Sequence, residues 1–309
     1  MKKVVIAGGG VLGSQIAFQA AYCGFDVTIW LRSQGSIGRT QPKIDNLRKT
    51  YLEAIELMDS AAGESNWCRG IADHDSFDAK KCIEQVEKAY SGLKLELDMA
   101  KAAADADIIV ESVAENVKDK VAFYEALAPL MPSKTILCTN SSTLLPSTFA
   151  KSTGRPDKYL SLHFANAIWK NNTAEVMGHP GTDPEVYQAV VTFAGEIGMV
   201  PLQLHKEQPG YILNSMLVPF LSAAQALWAT GVADPKTIDL TWELATSAPA
   251  GPFKILDIVG LETAYNINQM KPQAQVEGSI ENQIGKLLKE KIEKGETGVN
   301  AGKGFYDYN

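Results

Sequence analysis

A histidine and a carboxylate occupy two neighbouring apolar runs: His163 in Tyr159-Leu160-Ser161-Leu162-His163-Phe164, and Glu175, twelve residues later, in Thr173-Ala174-Glu175-Val176-Met177. A hairpin-like return between the runs would set the carboxylate beside the imidazole. An imidazole so held can take a proton from a carbinol as hydride leaves and return it in reduction, while the carboxylate orients the ring and stabilises the imidazolium. A single histidine in a strand is more often a satisfied core residue, so the pair alone leaves both readings open. His74, His179 and His205 stand in charged or turn-like contexts and read as surface.

Two further polar positions belong with the pair. Asn140-Ser141-Ser142 follows the apolar run that ends at Thr139. A hydroxyl at that point can touch both a cofactor and a substrate, or it can cap a helix over 144–150. Asn214 sits in the apolar stretch Tyr211-Ile212-Leu213-Asn214-Ser215-Met216-Leu217. A buried amide needs partners, and these are either a substrate carbonyl or a facing domain.

Phosphate chemistry is written at the other end of the chain. Gly8-Gly9-Gly10-Val11-Leu12-Gly13 is a G-x-G-x-x-G placed directly after the β-branched run Lys3-Val4-Val5-Ile6-Ala7 and ahead of a helical stretch over 14–23. In that setting glycines let the backbone approach a pyrophosphate, and a helix N-terminus favours its charge. The second strand should end in an acid that binds the ribose 2′-hydroxyl of NAD, but it ends Trp30-Leu31-Arg32-Ser33. A guanidinium beside a hydroxyl suits a 2′-phosphate, so NADP(H) is favoured over NAD(H). If Arg32 merely stacks on adenine, the preference stays open.

The elements that must position these groups follow from periodicity. Runs at 3–7, 25–31, 107–113, 135–139, 159–164, 173–177 and 200–204 read as strands, and 43–58, 79–92 and 184–197 as helices. Strand, helix and strand over the first thirty residues make a βαβ unit and imply a parallel sheet. From Pro209 onward strand signals vanish and helix punctuation begins, as in Pro209-Gly210 and Asp234-Pro235. The expected fold is α/β: an N-terminal Rossmann-type parallel sheet with a helical insertion over 1–205, then an all-α domain over 206–309. The 309 residues exceed one ordinary core, and the composition, 45% apolar and 21% charged, is that of a soluble globular chain. A net charge of −7 argues against nucleic-acid or anionic-membrane binding. The four cysteines form no C-x-x-C pair and no metal-ligand spacing. Reduced thiols in a cytoplasmic protein and no bound metal are therefore expected.

Taken together, these residues resemble the 3-hydroxyacyl-CoA dehydrogenase family across essentially the whole chain. Ser142, His163, Glu175 and Asn214 match its catalytic set, and Glu115 and Lys120 match residues placed against the nicotinamide half of the cofactor. Gly251-Pro252-Phe253 and Gly302-Lys303-Gly304-Phe305-Tyr306 match motifs of its helical dimerisation domain. The resemblance implies hydride transfer between nicotinamide C4 and C3 of a 3-hydroxy or 3-keto substrate. It assigns His163 as base, Glu175 as its orienting partner, and Ser142 and Asn214 to the reacting oxygen. The expected cofactor site is Gly8, Gly10, Val11, Leu12, Gly13, Arg32, Ser33 and Asn140 from the residues themselves, joined by Glu115 and Lys120 from the resemblance, which also implies a homodimer through the C-terminal helices.

Departures from the family pattern bear on the substrate. The loop after His163-Phe164 reads Ala165-Asn166-Ala167-Ile168-Trp169-Lys170-Asn171-Asn172 where the family has Asn-Pro. Residues 63–98 carry eight acids against five bases, a poor cradle for the 3′-phosphate of CoA. The stretches around Asn140, His163 and Glu175 are similar to the diketoreductase branch, which reduces non-CoA 3,5-diketo esters. Asn166, Trp169 and Trp242 are candidate substrate contacts, the two tryptophans as walls of an aromatic pocket. The substrate is thus an acyl-CoA thioester or, alternatively, a free 3-keto ester or acid. Two rivals stand apart: a Ser-His-Glu hydrolase, which lacks a G-x-S-x-G elbow here, and a non-catalytic nucleotide-binding protein.

Overall fold

In the computed structural model, which describes residues 1–308, the chain divides into two compact units, Met1–Ile212 and Leu213–Asn309. The first unit opens with β1 (Lys3–Ala7), α1 (Val11–Tyr22), β2 (Asp26–Trp30) and the long α2 (Gln34–Met58). Then come α3 (Ala79–Gly92), β3 (Lys94–Glu96), α4 (Met99–Ala103), β4 (Ile108–Glu111), α5 (Val117–Leu127) and β5 (Ile136–Thr139). It closes with β6 (Tyr159–Phe164), β7 (Thr173–Met177), α6 (Pro184–Glu196) and β8 (Val200–Leu204). The described strands form one eight-stranded sheet in the order β3-β2-β1-β4-β5-β6-β7-β8. Every pairing is parallel except β6 with β7.

Strands β4, β5 and β6 are buried along their whole length, as expected of a parallel sheet covered on both faces. One core packs Ile6, Ile29, Val110 and Leu162 with Phe18, Tyr51 and Phe193 from the helices above. The second packs Val5, Ile109 and Leu137 with Phe123, Tyr124 and Phe149.

Three local differences from the expected elements have physical causes. Helix α2 begins at Gln34 rather than at 43, because Gly35, Gly38 and Pro42 interrupt its apolar period without stopping it. Strand β3 is a three-residue, half-exposed edge strand, too short to show alternation. No helix covers 144–150; after Pro146 the chain makes only short 3₁₀ turns at Pro146–Thr148 and Ala150–Thr153.

The second unit is helical: α7 (Tyr211–Ala229, whose first two residues belong with the first unit), α8 (Pro235–Thr246), α9 (Pro252–Val259), α10 (Leu261–Gln269) and α11 (Ile280–Glu293). Leu221, Phe253, Leu256, Leu261 and Leu288 form its core. Two buried aspartates account for its glycine motifs. Asp239 accepts from the amides of Phe253 (2.8 Å) and Lys254 (2.9 Å) at the start of α9. A Cβ on Gly251 would lie 2.4 Å from that carboxyl carbon. Asp257 accepts from the amides of Phe305 (2.8 Å) and Tyr306 (3.0 Å), and a Cβ on Gly304 would lie 2.1 Å from its Oδ1.

Candidate active site

The antiparallel pairing of β6 with β7 sets His163 directly opposite Glu175. Glu175 Oε2 lies 3.1 Å from His163 Nδ1, and Ser142 Oγ lies 3.2 Å from Nε2. Both His163 (6%) and Glu175 (4%) are nearly closed to solvent. A carboxylate on Nδ1 fixes the ring so that Nε2 is the nitrogen facing the hydroxyl, where proton exchange with a substrate oxygen can occur. The fixed-charge partner also stabilises the imidazolium.

Sequence reasoning missed Tyr211. Its ring stacks on His163 with centroids 4.4 Å apart and planes at 11°. Its hydroxyl donates to the carbonyl of Ser141 at 2.7 Å, and burial pushes that phenol well above its ordinary range, so it stays a donor. Gly210 (φ 78°) and Tyr211 (φ 54°) are consecutive left-handed residues. This turn delivers the amide of Ile212 to Glu175 Oε1 at 2.9 Å, so both carboxylate oxygens are engaged. Only the Pro209-Gly210 pair hints at the turn in the sequence.

The loop after β5 is held from below. Asn140 Oδ1 accepts from the amide of Phe164 at 3.2 Å, tying the end of β5 to the end of β6. The Ser141 hydroxyl donates to Glu115, and Thr143 donates to the same oxygen through its hydroxyl at 3.0 Å. Burial raises the Glu115 carboxyl, but Ser141, the Lys120 ammonium and Thr143 more than offset this and hold it below the usual carboxylate range. Lys120 is itself buried, 2.6 Å from Glu111 and 3.3 Å from Glu115. Glu111 was also missed. It ends β4 and accepts from Lys120, from the Tyr124 hydroxyl (2.6 Å), the Thr139 hydroxyl (2.7 Å) and the amide of Val113 (2.8 Å). An acid closing a β-branched run, with a lysine nine residues on, was its available signal.

The glycine turn fits a dinucleotide. Gly8 has φ 119°, and a Cβ there would meet the Ser112 carbonyl oxygen at 2.5 Å; one on Gly13 would meet the Gly8 carbonyl oxygen at 2.2 Å. Gly10 instead faces open space. Val11, largely exposed, and Leu12 open α1, which has neither a side-chain cap nor an acid in its first turn. Helix α2 starts the same way, since the hydroxyl of its N-cap Ser33 bonds Ser36 rather than the helix backbone. By contrast α3, α4, α5, α6, α8 and α11 are each capped by an Asp, Asn or Ser side chain. The uncapped starts of α1 and α2 leave amide donors for an anion. They border a cleft of about 290 Å³ lined by Gly8, Gly10, Arg32, Ser36, Arg39 and Lys43, among others.

Of the remaining candidates, Asn166 is exposed on the loop after β6. Trp169 packs its ring on Tyr51 (centroids 5.7 Å), as an anchor of that loop. In the second unit, Asn214 lies in α7, and Trp242 packs on Phe220 at 4.5 Å.

Known families match both parts of this chain. The NAD-binding domain of 3-hydroxyacyl-CoA dehydrogenase matches residues 3–208, and the C-terminal domain of 3-hydroxyacyl-CoA dehydrogenase matches residues 210–308. The 3-hydroxybutyryl-CoA dehydrogenase of Clostridioides difficile is 30% identical over 308 residues, covering 99% of this chain and 99% of the relative. The mitochondrial hydroxyacyl-coenzyme A dehydrogenase of Homo sapiens is 29% identical over 308 residues, covering 100% of this chain and 91% of its own. A solved diketoreductase, described for its substrate-directed dual catalysis of dicarbonyl compounds, superposes with a TM-score of 0.85 at 46% identity, covering 100% of this chain and 99% of that one. With a nicotinamide-binding half and a helical half both matched, the chain belongs to the 3-hydroxyacyl-CoA dehydrogenase family.

Proposed function

We propose that this protein transfers hydride between a nicotinamide cofactor and C3 of a 3-hydroxyacyl or 3-ketoacyl substrate. The observation that carries this reading is His163 bridging Glu175 and Ser142 in a domain whose glycine turn fits a dinucleotide. When bound, the cofactor supplies the hydride acceptor or donor. His163 Nε2 takes the carbinol proton in oxidation and returns it in reduction. Glu175 holds the ring and balances its charge, and the Ser142 hydroxyl hydrogen-bonds the reacting oxygen. Gly10 and the first turn of α1 would hold the pyrophosphate.

We further propose NADP(H) as the preferred cofactor. Leu31 is buried where an acid would meet the ribose, and Arg32, Arg39 and Lys43 line the cleft at the uncapped start of α2. Arg39 donates to the Ser36 hydroxyl at 3.0 Å, which holds its guanidinium at this helix start. Arg39→Ala should raise KM for NADPH about ten- to a hundredfold, the scale of a hydrogen bond to a charged group, and barely change KM for NADH. Equal effects on both cofactors would remove the 2′-phosphate assignment.

A second substrate reading rests on the 46% identity to a diketoreductase: reduction of a free 3-keto or 3,5-diketo ester. Loss of reduced-nicotinamide absorbance with acetoacetyl-CoA and with a free 3,5-diketo ester, each with NADH and with NADPH, separates the two. Turnover of neither substrate with either cofactor would overturn hydride transfer and favour a non-catalytic nucleotide-binding role. We also propose a homodimer through the second unit, where Leu244, Ile258 and Met270 are 74%, 68% and 83% exposed, and a cytoplasmic setting, which the four free cysteines fit.

A further inference from the structure

The loop 165–172 joins the strand of His163 to the strand of Glu175, and it contains a strained turn. Ala167 is left-handed, φ 57°, although it is not glycine. Such a residue persists only where its surroundings over-determine it. The Ala167 carbonyl accepts from the amides of Lys170 and Asn171, both at 2.8 Å, and the Asn171 side chain donates to the Asn166 carbonyl at 2.9 Å. The restraint from outside the loop on the amide side of the turn comes from one side chain. Oε1 of Gln15, a buried residue of α1, accepts from the amide of Ala167 at 2.9 Å and from that of Ile168 at 3.4 Å. Downstream the loop is pinned as well: Gly70 donates to the Trp169 carbonyl at 2.9 Å, and Ile168 is fully buried. A Cβ on Gly70 would stand 2.6 Å from the Ile168 carbonyl oxygen. One turn along α1, Gln19 holds Gly70 in turn, donating to its carbonyl at 2.7 Å.

We propose that Gln15 is a positioning residue for the keto substrate. It fixes the loop that carries Asn166 and registers it to the helix that opens on the dinucleotide turn, two residues after Gly13. The proposal rests on the hydride-transfer reading for its substrate and on the geometry alone for the clamp. Gln15 would act through the loop, with the proton-transfer step at His163 unchanged. Its loss should therefore appear in substrate KM more than in kcat.

The test compares Gln15→Met, which keeps the bulk and lacks the acceptor, with Gln15→Glu, which keeps an acceptor oxygen. Gln15→Met should raise KM for the keto substrate about tenfold, the scale of a buried hydrogen bond left unmade. KM for the reduced nicotinamide should stay within about twofold, since no cofactor contact is removed. Gln15→Glu should hold substrate KM within about threefold of wild type, because the acceptor remains. Amide hydrogen exchange over 165–172 should speed up in Gln15→Met and stay slow in Gln15→Glu. Ala167→Pro removes both the donor and the left-handed conformation, so the double variant Gln15→Met/Ala167→Pro should lose no more than Ala167→Pro alone. If Ala167→Pro fails to fold, the Met and Glu variants decide. A Gln15→Met enzyme with unchanged substrate KM and unchanged exchange would overturn the clamp, as would a Gln15→Glu enzyme as impaired as Gln15→Met. If the wild type reduces no keto substrate, the hydride-transfer reading fails, and the exchange comparison still decides the clamp.

Discussion

Two buried carboxylates lie in the same sheet and are wired to opposite ends. Glu111, at the end of β4, accepts from a lysine, two hydroxyls and an amide, two donors on each oxygen. Glu175, in β7, divides its oxygens between the amide of Ile212 and the ring of His163. The histidine is the one partner among these whose ordinary pKa lies near neutrality. A carboxylate enclosed by fixed donors stiffens the floor of a site. One that shares a face with an imidazole can follow a proton. Burial alone does not separate the two roles, because both side chains are almost closed to water; the partner's chemistry does.

The sharpest way to break this contrast is at the histidine. His163→Ala should lower kcat by about two to four orders of magnitude, the usual scale of a lost general acid/base, with cofactor affinity unchanged. Glu175→Gln should keep the fold and the Ile212 contact on one oxygen while removing the charge that supports the imidazolium. A loss of about a hundredfold or more in kcat is expected, since a neutral amide in this role also permits the wrong tautomer. Steady-state kinetics with titrated dinucleotide checks both. A Glu175→Gln enzyme at full rate would place Glu175 with Glu111, as framework.

Glu111→Gln should show the reverse pattern, moving stability first. The substitution leaves Lys120 buried with only Glu115 as a charged partner, and breaking a buried ion pair on one side costs about 3–5 kcal/mol. Denaturant unfolding should show that loss, and Glu111→Gln/Lys120→Met should recover part of it by removing the stranded charge. A variant of full stability and no turnover would make Glu111 a member of the reacting group and erase the distinction.

How much of this was legible in the residues depended on how local the signal was. The glycine turn and its strand and helix are adjacent in the chain, and the register that joins His163 to Glu175 follows from two short apolar runs and one loop. Tyr211, Glu111 and Gln15 were not legible, because each acts through partners brought in by the tertiary fold. Tyr211 reaches His163 across forty-eight positions, and Gln15 reaches Ala167 across 152. Helix α2 hid its first nine residues behind two glycines and a proline, and with them the approach of Arg39 to the cofactor cleft. Capping was readable only in part: Asp234-Pro235 announces α8, while the missing caps of α1 and α2 gain meaning only once both helices are seen to open on one cleft.

A third carboxylate sets the lower bound of the comparison. Glu296, in the second unit, lies between Lys291 (2.9 Å) and Lys303 (3.0 Å), and its hydrogen bonds to these two lysines, with Lys291 foremost, draw its pKa down to about 2. Glu111 has one lysine partner and Glu296 has two, but both of these lysines stay in reach of water. A folded-state pKa below the unfolded value of about 4.3 stabilises the fold fully above that value, and the contribution is lost as pH falls through about 2. Pairs that keep partial access to water gain little and are screened by salt. Glu296→Gln should therefore unfold at slightly lower denaturant than wild type near neutral pH. The gap should narrow below about pH 4 as the wild-type carboxylate gains its proton, and it should shrink in high salt at any pH. A gap as large as that of Glu111→Gln, and insensitive to salt, would mean that solvent access is not what separates a framework carboxylate from a surface one.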